Sequence, residues 1–170
     1  MKMECLELVA WKPKRKHAAN REPTRHVVGI TNYDKCGNKY WAIAEVDRSM
    51  SLEELLRAIP PWAGKPLIIY RTRKGYHVYL DYSSSSPLKV YHMLMRVRVF
   101  ERGHLKLAKA RSGEDYGKLI LRISPKYNKP DIYPVYIGRG LSTWHQQVLL
   151  LTALLQAKPE VVEKWLSRGS

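Results

Sequence analysis

Residues 65–82 read "KPLIIYRTRKGYHVYLDY". Two runs rich in β-branched and aromatic residues are separated by the basic turn Arg73–Gly75, which predicts a β-hairpin. Alone, such a turn is typical of an ordinary charged hairpin. The segment Thr72–His77 also offers a hydroxyl, two cations, a histidine and a glycine that permits close backbone approach or a positive φ. These are groups that bind polyanions.

The chain before this hairpin shows further strand patterns and one helix. Predicted strands cover residues 1–10, 26–33 and 40–46. The first reads as an edge strand, and turn residues around Gly37 join the other two into a second hairpin. Ser51 and Glu54 match a capping box, which predicts a helix that ends before Pro60.

The chain after the hairpin alternates between the same two kinds of element. Strands are predicted at residues 104–111, 118–124 and 132–138, and helices at residues 87–101, from Ser142 onward and at 159–167. About seven strands and four helices in mixed order predict an α+β (mixed α/β) fold with a largely antiparallel or mixed sheet flanked by helices. Residues 1–141 are expected to form the core, and residues 142–170 a helical extension packed on the same domain.

The charge of the chain narrows the class of partner. Thirty Lys and Arg against fifteen Asp and Glu leave a net charge of +15, and a domain this basic usually binds nucleic acid or nucleotides. No apolar run approaches the roughly 18 residues of a membrane span, and the N-terminus lacks the layout of a signal peptide. We therefore expect a cytoplasmic protein with no membrane partner. Cys5 and Cys36 lack metal-type spacing and are expected to be reduced thiols.

Glu45 and Asp47 end an apolar strand. Residues two apart on a strand share a face, and a pair of carboxylates in this arrangement can hold a divalent cation. A solvated strand end is the plain alternative for this motif. A third motif follows Arg122, where a strand gives way to the polar loop "SPKYNKPD" at residues 124–131.

Taken in order, the acid pair, the basic turn with its histidine, and the Arg-x-Ser-Pro loop resemble the catalytic core of the archaeo-eukaryotic primase superfamily. This superfamily includes the small primase subunit and primase-polymerases. The resemblance covers about residues 25–138. It implies that Glu45 and Asp47 bind metal, with glutamate in place of the commoner aspartate. It also implies a set of residues that bind the nucleotide triphosphate: Thr72, Arg73, Lys74, His77, Arg122 and Lys129.

The third carboxylate of the family's metal site has no counterpart where the motif order places it. The predicted strand at residues 104–111 carries no acid, and lysine there would repel a metal ion. Asp115 in the following turn is the nearest substitute, with Glu114 beside it and Asp131 beyond the loop. In the family this acid completes a two-metal arrangement that supports attack by the primer hydroxyl and departure of pyrophosphate.

The resemblance implies nucleotidyl transfer on a single-stranded or primer-template nucleic acid with Mg²⁺ or Mn²⁺. The implied partners are nucleoside triphosphates, the nucleic acid, and replication subunits or a helicase. Lys106, Lys109, Arg111 and residues 12–17 are candidates for contact with template phosphates, although a solvated basic surface is the plain reading of each. The alternative function is a catalytically inactive primase-like protein that binds single-stranded nucleic acid as a replication accessory.

Overall fold

A computed structural model describes residues 3–13, 26–110, 118–127 and 129–168 of the chain. The strands are β1 Leu6–Trp11, β2 Val27–Asp34, β3 Lys39–Val46, β4 Pro66–Arg71, β5 Tyr76–Ser84, β6 Ile120–Arg122 and β7 Tyr133–Ile137. The helices are α1 Leu52–Ala58, α2 Pro87–Met95, α3 Arg102–Ala110, α4 Thr143–Ala157 and α5 Val161–Arg168, with a short 3₁₀ helix at Pro61–Ala63.

The strands form one seven-stranded sheet in the order β1-β2-β3-β5-β4-β7, with β6 paired to β2. Every pairing among the described strands is antiparallel. The prediction of an α+β fold with a largely antiparallel sheet is confirmed. The two predicted hairpins are present, and β1 is an edge strand, as its pattern indicated.

Strand β2 changes partner along its length, and Asn32 lies at the branch. The C-terminal end of β2 pairs with β3 at Tyr33 and Asp34, whereas residues 29–31 of β2 pair with β6. The fully buried Asn32 side chain donates to Trp41 O and accepts from Leu119 N, both at 2.9 Å. It thereby pairs backbone groups that the separation of β3 and β6 would otherwise leave unsatisfied.

Helix α4 covers the face of the sheet that carries Trp41 and Tyr79. The ring of Trp144 lies 6.3 Å from that of Trp41 and 6.0 Å from that of Tyr79, centroid to centroid, and Trp144 is fully buried. The α4 side chains belong to the same hydrophobic core as the strands. None of the described helices has both the length and the apolar character of a membrane-spanning segment.

The predicted strand at residues 104–111 is wrong, because this segment lies almost entirely in helix α3. Alternation would give Leu105 and Leu107 the same environment, yet Leu105 is fully buried and Leu107 is 62% exposed. The segment consists mainly of Leu, Lys and Ala, which favour helices, and it contains no β-branched residue. Helix α2 also ends at Met95, earlier than the predicted helix over residues 87–101.

The expectation of two reduced thiols is also wrong, because Cys5 and Cys36 form a disulfide. Cys5 precedes β1, and Cys36 lies in the turn between β2 and β3. The pairing of Leu6 with Asp34 brings these two segments together. Asp34 shapes the turn by accepting hydrogen bonds from the backbone N–H groups of Cys36 and Gly37. Two cysteines 31 residues apart carry no local signal of this pairing.

Candidate functional site

One end of the sheet, here called the site end, collects most of the predicted residues. It comprises the C-terminal ends of β3, β4 and β6 and the N-terminal ends of β5 and β7. Because β3 and β6 are both antiparallel to β2, they run in the same direction, and Glu45 and Arg122 lie at the same end. His77 lies there because β5 begins where β3 ends. The loop with Lys129 joins β6 to β7 at this end.

Glu45 and His77 lie directly opposite each other in the pairing of β3 with β5. Their side chains therefore point to the same face of the sheet. Tyr70 on β4 is the partner of His77 on its other side. Glu45 is half-buried, while Asp47 lies just beyond the last residue of β3 and is exposed. The two carboxylates thus occupy different environments, one within the sheet and one past its end.

The turn Thr72–Gly75 is closed by its own hydrogen bonds. Thr72 N donates to Gly75 O at 2.9 Å, and the Thr72 hydroxyl oxygen accepts from Gly75 N at 3.1 Å. Arg73 and Lys74 at its tip are exposed. The Thr72 hydroxyl thus stabilises the turn, and the two cations are the groups of this turn that face solvent.

Gly75 packs against the backbone that follows β3. A Cβ atom at this position would overlap Val46 O and lie 3.2 Å from Arg48 N. Close backbone approach is therefore the reason for glycine here. The contact brings the turn with Arg73 and Lys74 against the segment that contains Asp47. Two motifs that are 25 residues or more apart in the sequence are adjacent at the site end.

His77 is held neutral by its surroundings. It is 6% exposed, and burial lowers its pKa to about 3, with further lowering from the charges of Arg122 and His104. Nδ1 has no hydrogen-bond partner among the described residues. A neutral imidazole has one N–H donor and one acceptor nitrogen, so His77 offers hydrogen bonding rather than positive charge.

Arg122 is held by an ion pair that the motif reading did not include. Its guanidinium binds both carboxylate oxygens of Asp131, at 3.1 and 2.9 Å, and donates to Ser124 O at 2.6 Å. Gln156 of α4 accepts from Asp131 N and donates to Ile123 O, both at 2.9 Å. The loop after β6 is thereby attached to α4, and Arg122 has a fixed position.

His104 is a member of this region that sequence reasoning missed. It lies on α3, and its Nε2 is 2.7 Å from Ile120 O at the start of β6. Its charge contributes to the lowered pKa of His77. The sequence pattern predicts a strand here, and a strand would not bring His104 to β6 in this way.

The remaining predicted residues are spread around the site end or lie outside the described part of the chain. Lys129 is exposed in the loop before β7, and Lys106 is exposed on α3. Lys109 lies on α3, but its side chain is not described. Arg111, Glu114 and Asp115 fall in the undescribed residues 111–117. Asn128 and residues 14–17 are also outside the described residues. The substitute third carboxylate is therefore outside the described residues.

A protein metal site needs several donor atoms within reach of one ion. The one group of three or more His, Cys, Asp or Glu side chains among the described residues with donor atoms close enough for a shared ion is Cys5, Asp34 and Cys36. Its two sulfur atoms are bonded to each other and are not thiolate ligands. Glu45 and Asp47 provide two carboxylates without a third donor grouped with them in the described residues. Mg²⁺ is often held by one or two carboxylates together with substrate phosphates, which is a smaller donor set than an all-protein site needs.

Comparisons of this chain with protein-family models, with curated protein sequences and with solved structures find no match. The primase resemblance therefore stays a prediction that depends on the motifs and their order.

Proposed function

We propose that the site end binds a nucleoside triphosphate together with Mg²⁺ or Mn²⁺. The observation that supports this proposal is the close packing of Gly75 against the backbone of Val46 and Arg48. It brings two exposed cations, Arg73 and Lys74, next to an exposed carboxylate, Asp47. Clustered cations bind phosphate oxygens through charge-assisted hydrogen bonds, and the carboxylate suits the cation that accompanies a triphosphate.

Each residue of the proposed site has a distinct task. Arg73 and Lys74 bind the phosphates, and Glu45 and Asp47 hold the divalent cation. The bound cation supplies charge neutralisation on the phosphate oxygens. His77, neutral and next to Glu45, donates a single N–H hydrogen bond and positions the nucleotide without adding charge.

Nucleotidyl transfer is the reaction we propose for a nucleotide bound in this way. A hydroxyl of a primer or of a second nucleotide attacks the α-phosphorus, a phosphodiester bond forms, and the bond between the α- and β-phosphates breaks to release pyrophosphate. Asp115 is proposed to supply the third carboxylate. Single-stranded or primer-template nucleic acid would be the second substrate, with replication subunits or a helicase as further partners and the cytoplasm as the location.

A specific observation favours the alternative, a protein that binds single-stranded nucleic acid without nucleotide chemistry. Arg122, which the resemblance assigns to the triphosphate, already has a carboxylate partner in Asp131. A triphosphate would have to compete with this pair. In the alternative, the basic surface binds nucleic acid and the site end has lost its reaction.

Nucleotide binding is tested by calorimetric titration of ATP and dATP with and without Mg²⁺. We expect the double variant Arg73→Ala/Lys74→Ala to weaken binding by about 100-fold or more, since hydrogen bonds to charged groups contribute about 1.5–3 kcal/mol each. The matched control is Lys35→Ala/Arg139→Ala, which removes the same charge from exposed positions at the opposite end of the sheet. Equal losses in both double variants would contradict the site.

The role of the divalent cation is measured by the effect of Mg²⁺ on nucleotide affinity. In Glu45→Gln and Asp47→Asn we expect the gain in nucleotide affinity from Mg²⁺ to be lost, while metal-free binding is as tight as in the wild type or tighter, because a negative charge near the phosphates is removed. A gain that survives in both variants would show that the cation is held by the phosphates alone.

Nucleotidyl transfer is tested by incorporation of labelled nucleotides on primed and unprimed single-stranded templates with Mg²⁺ or Mn²⁺. We expect loss of incorporation in Glu45→Ala, Asp47→Ala, His77→Ala and Asp115→Ala. Activity that is unchanged in His77→Ala would contradict the nucleotide site, and activity unchanged in Asp115→Ala would remove that residue from it. A wild type that incorporates nothing, with nucleic-acid binding unaffected by Glu45→Ala and Asp47→Ala, would support the alternative.

A further inference from the structure

A concave surface, here called the α2 groove, lies away from the site end. Its volume of about 390 Å³ is within the range of small-ligand pockets. The side chains that line it come from the 3₁₀ helix, β5, α2 and the C-cap residue of α2: Trp62, Tyr82, Lys89, His92, Met93 and Arg96. Tyr82 is five residues along β5 from His77, a distance of about 16 Å at the rise of a strand. The α2 groove is therefore separate from the nucleotide site.

The α2 groove presents an aromatic surface that is held in place. Trp62 is 48% exposed, which is unusual for so large an apolar side chain. The guanidinium carbon of Arg96 lies 4.8 Å from the centroid of the Trp62 ring. This cation–π contact orients the indole, while about half of Trp62 stays accessible to a ligand.

The charges in the α2 groove have one sign. Lys89 and Arg96 are exposed cations, and none of the six lining residues is acidic. The whole chain carries a net charge of +15. A groove with this charge complements an anionic ligand.

Aromatic and cationic groups side by side distinguish between anionic ligands. Single-stranded nucleic acid has a base for the aromatic surface and phosphates for the cations, and base stacking on aromatic side chains is a main source of its affinity. An acidic peptide would satisfy Lys89 and Arg96 but would offer nothing to stack on Trp62. The combination favours nucleic acid.

We propose that the α2 groove binds single-stranded nucleic acid, with a base stacked on Trp62 and backbone phosphates bound by Lys89 and Arg96. DNA and RNA share this chemistry, and the test includes both. The site goes beyond the nucleotide site of the proposed function, because it uses different residues and needs neither nucleotide nor metal ion.

The aromatic contact is tested by fluorescence anisotropy with labelled twelve-nucleotide oligothymidylate and oligouridylate, without nucleotide or Mg²⁺. We expect Trp62→Ala to weaken binding about 5- to 150-fold, the range for loss of one base stack. Trp62→Phe keeps a flat ring and should stay within about threefold of wild type, since phenylalanine also stacks on bases. Trp11→Ala is the matched control, because Trp11 is 39% exposed on the edge strand β1. Comparison with oligodeoxyuridylate of the same length, which differs from oligouridylate in the sugar alone, identifies the preferred sugar.

The phosphate contacts are tested by the salt dependence of the same binding. Each phosphate contact to a single strand adds about 0.7 to the slope of log affinity against log salt. Lys89→Ala/Arg96→Ala should therefore reduce the slope by about 1.4. Lys35→Ala/Arg139→Ala changes the net charge equally and should leave the slope as in wild type.

Three results would overturn the α2 groove proposal: no binding of either oligonucleotide to the wild type, unchanged affinity in Trp62→Ala, or preferential binding of a polyglutamate peptide. Near-UV circular dichroism checks that each variant is folded. The two sites are separable, because Trp62→Ala should keep its Mg²⁺-nucleotide affinity while Arg73→Ala/Lys74→Ala should keep its oligonucleotide affinity. A result that refutes oligonucleotide binding in the α2 groove therefore does not refute the nucleotide site, and a result that refutes the nucleotide site does not refute the α2 groove.

Discussion

Gly75 links the basic turn to the end of β3, and no other residue type fits its position. A methyl group there would overlap Val46 O, so Gly75→Ala must push the turn away from the segment with Asp47. We expect the free energy of unfolding to fall by about 2–3 kcal/mol, the upper part of the usual range for single substitutions. Nucleotide affinity should fall by more than the smaller fraction of folded protein explains. Urea unfolding and calorimetric titration measure the two effects.

Gly103→Ala is the control for this substitution. Among the described residues, a Cβ atom at Gly103 would meet only the flexible Glu101 side chain, at 3.2 Å, and Gly103 lies in α3. Alanine is favoured over glycine in helices by about 1 kcal/mol, so this variant should be as stable as wild type or slightly more so. Equal loss of stability in both variants would mean that the close approach at Gly75 has no special cost.

His77 should make stability depend on pH in a defined window. Its pKa is about 3 in the folded protein and about 6.5 in the unfolded chain. Between these values the unfolded chain binds a proton that the folded protein does not, so the free energy of unfolding falls as the pH falls, by up to about 1.4 kcal/mol per pH unit. From pH 7 to pH 5 the wild type should lose about 2 kcal/mol more than His77→Gln. Urea unfolding at both pH values measures this difference.

The exposed His92 on α2 supplies the comparison. His92→Gln should show the same loss of stability between pH 7 and pH 5 as the wild type. If His77→Gln keeps the full pH dependence, the imidazole is not held neutral by the fold, and its proposed role as an uncharged donor is wrong.

Among the elements, β1 is attached to the rest of the sheet by a covalent bond as well as by pairing. The disulfide between Cys5 and Cys36 closes a loop with a sequence separation of 31 residues, for which the chain-entropy relation gives about 3–4 kcal/mol. Cys36 is exposed, so Cys36→Ser leaves no cavity. We expect this variant to lose about that free energy of unfolding. A reducing agent should lower the wild type to the level of the variant and leave the variant unchanged.

Elements with local signals were predicted well. Helix α1 begins after Ser51, whose hydroxyl accepts from Glu54 N at 3.1 Å, as the capping box indicated. The turn at Arg73–Gly75 was predicted with its hairpin, and close approach was one of two reasons considered for its glycine. Helix α3 was not predicted, because a short Leu-Lys-Leu-Ala pattern matches a strand and a helix about equally, and the burial of Leu105 is decided by the rest of the fold.

Features that depend on distant residues left no signal in the sequence. The branch of β2 depends on Asn32, whose side chain contacts a strand nine residues away and a residue 87 positions downstream. The ion pair of Arg122 with Asp131 is ordered by Gln156 from α4. Such contacts follow from the topology, which short motifs do not specify. Motif order suggested the site residues, and the sheet brings several of them to one end.

At the scale of the whole molecule, the excess of positive charge acts on stability and on binding in opposite directions. Self-repulsion within a chain of net charge +15 destabilises the fold and is screened by salt, so added NaCl should raise stability. The same salt weakens binding of any polyanion. A specific phosphate site can therefore be separated from general screening only by comparing anions at equal ionic strength.

Tripolyphosphate provides this comparison, because it carries the anionic part of a nucleoside triphosphate without base or sugar. At a concentration of about 100 times its Kd it should stabilise the wild type by about 2.7 kcal/mol beyond NaCl of equal ionic strength, since it binds the folded state. Arg73→Ala/Lys74→Ala should respond to NaCl as the wild type does but lose this extra stabilisation. Lys35→Ala/Arg139→Ala should keep both responses in thermal unfolding. If the two double variants lose the extra stabilisation equally, the anion acts on the net charge of the molecule, and the phosphate site at the turn Thr72–Gly75 is refuted.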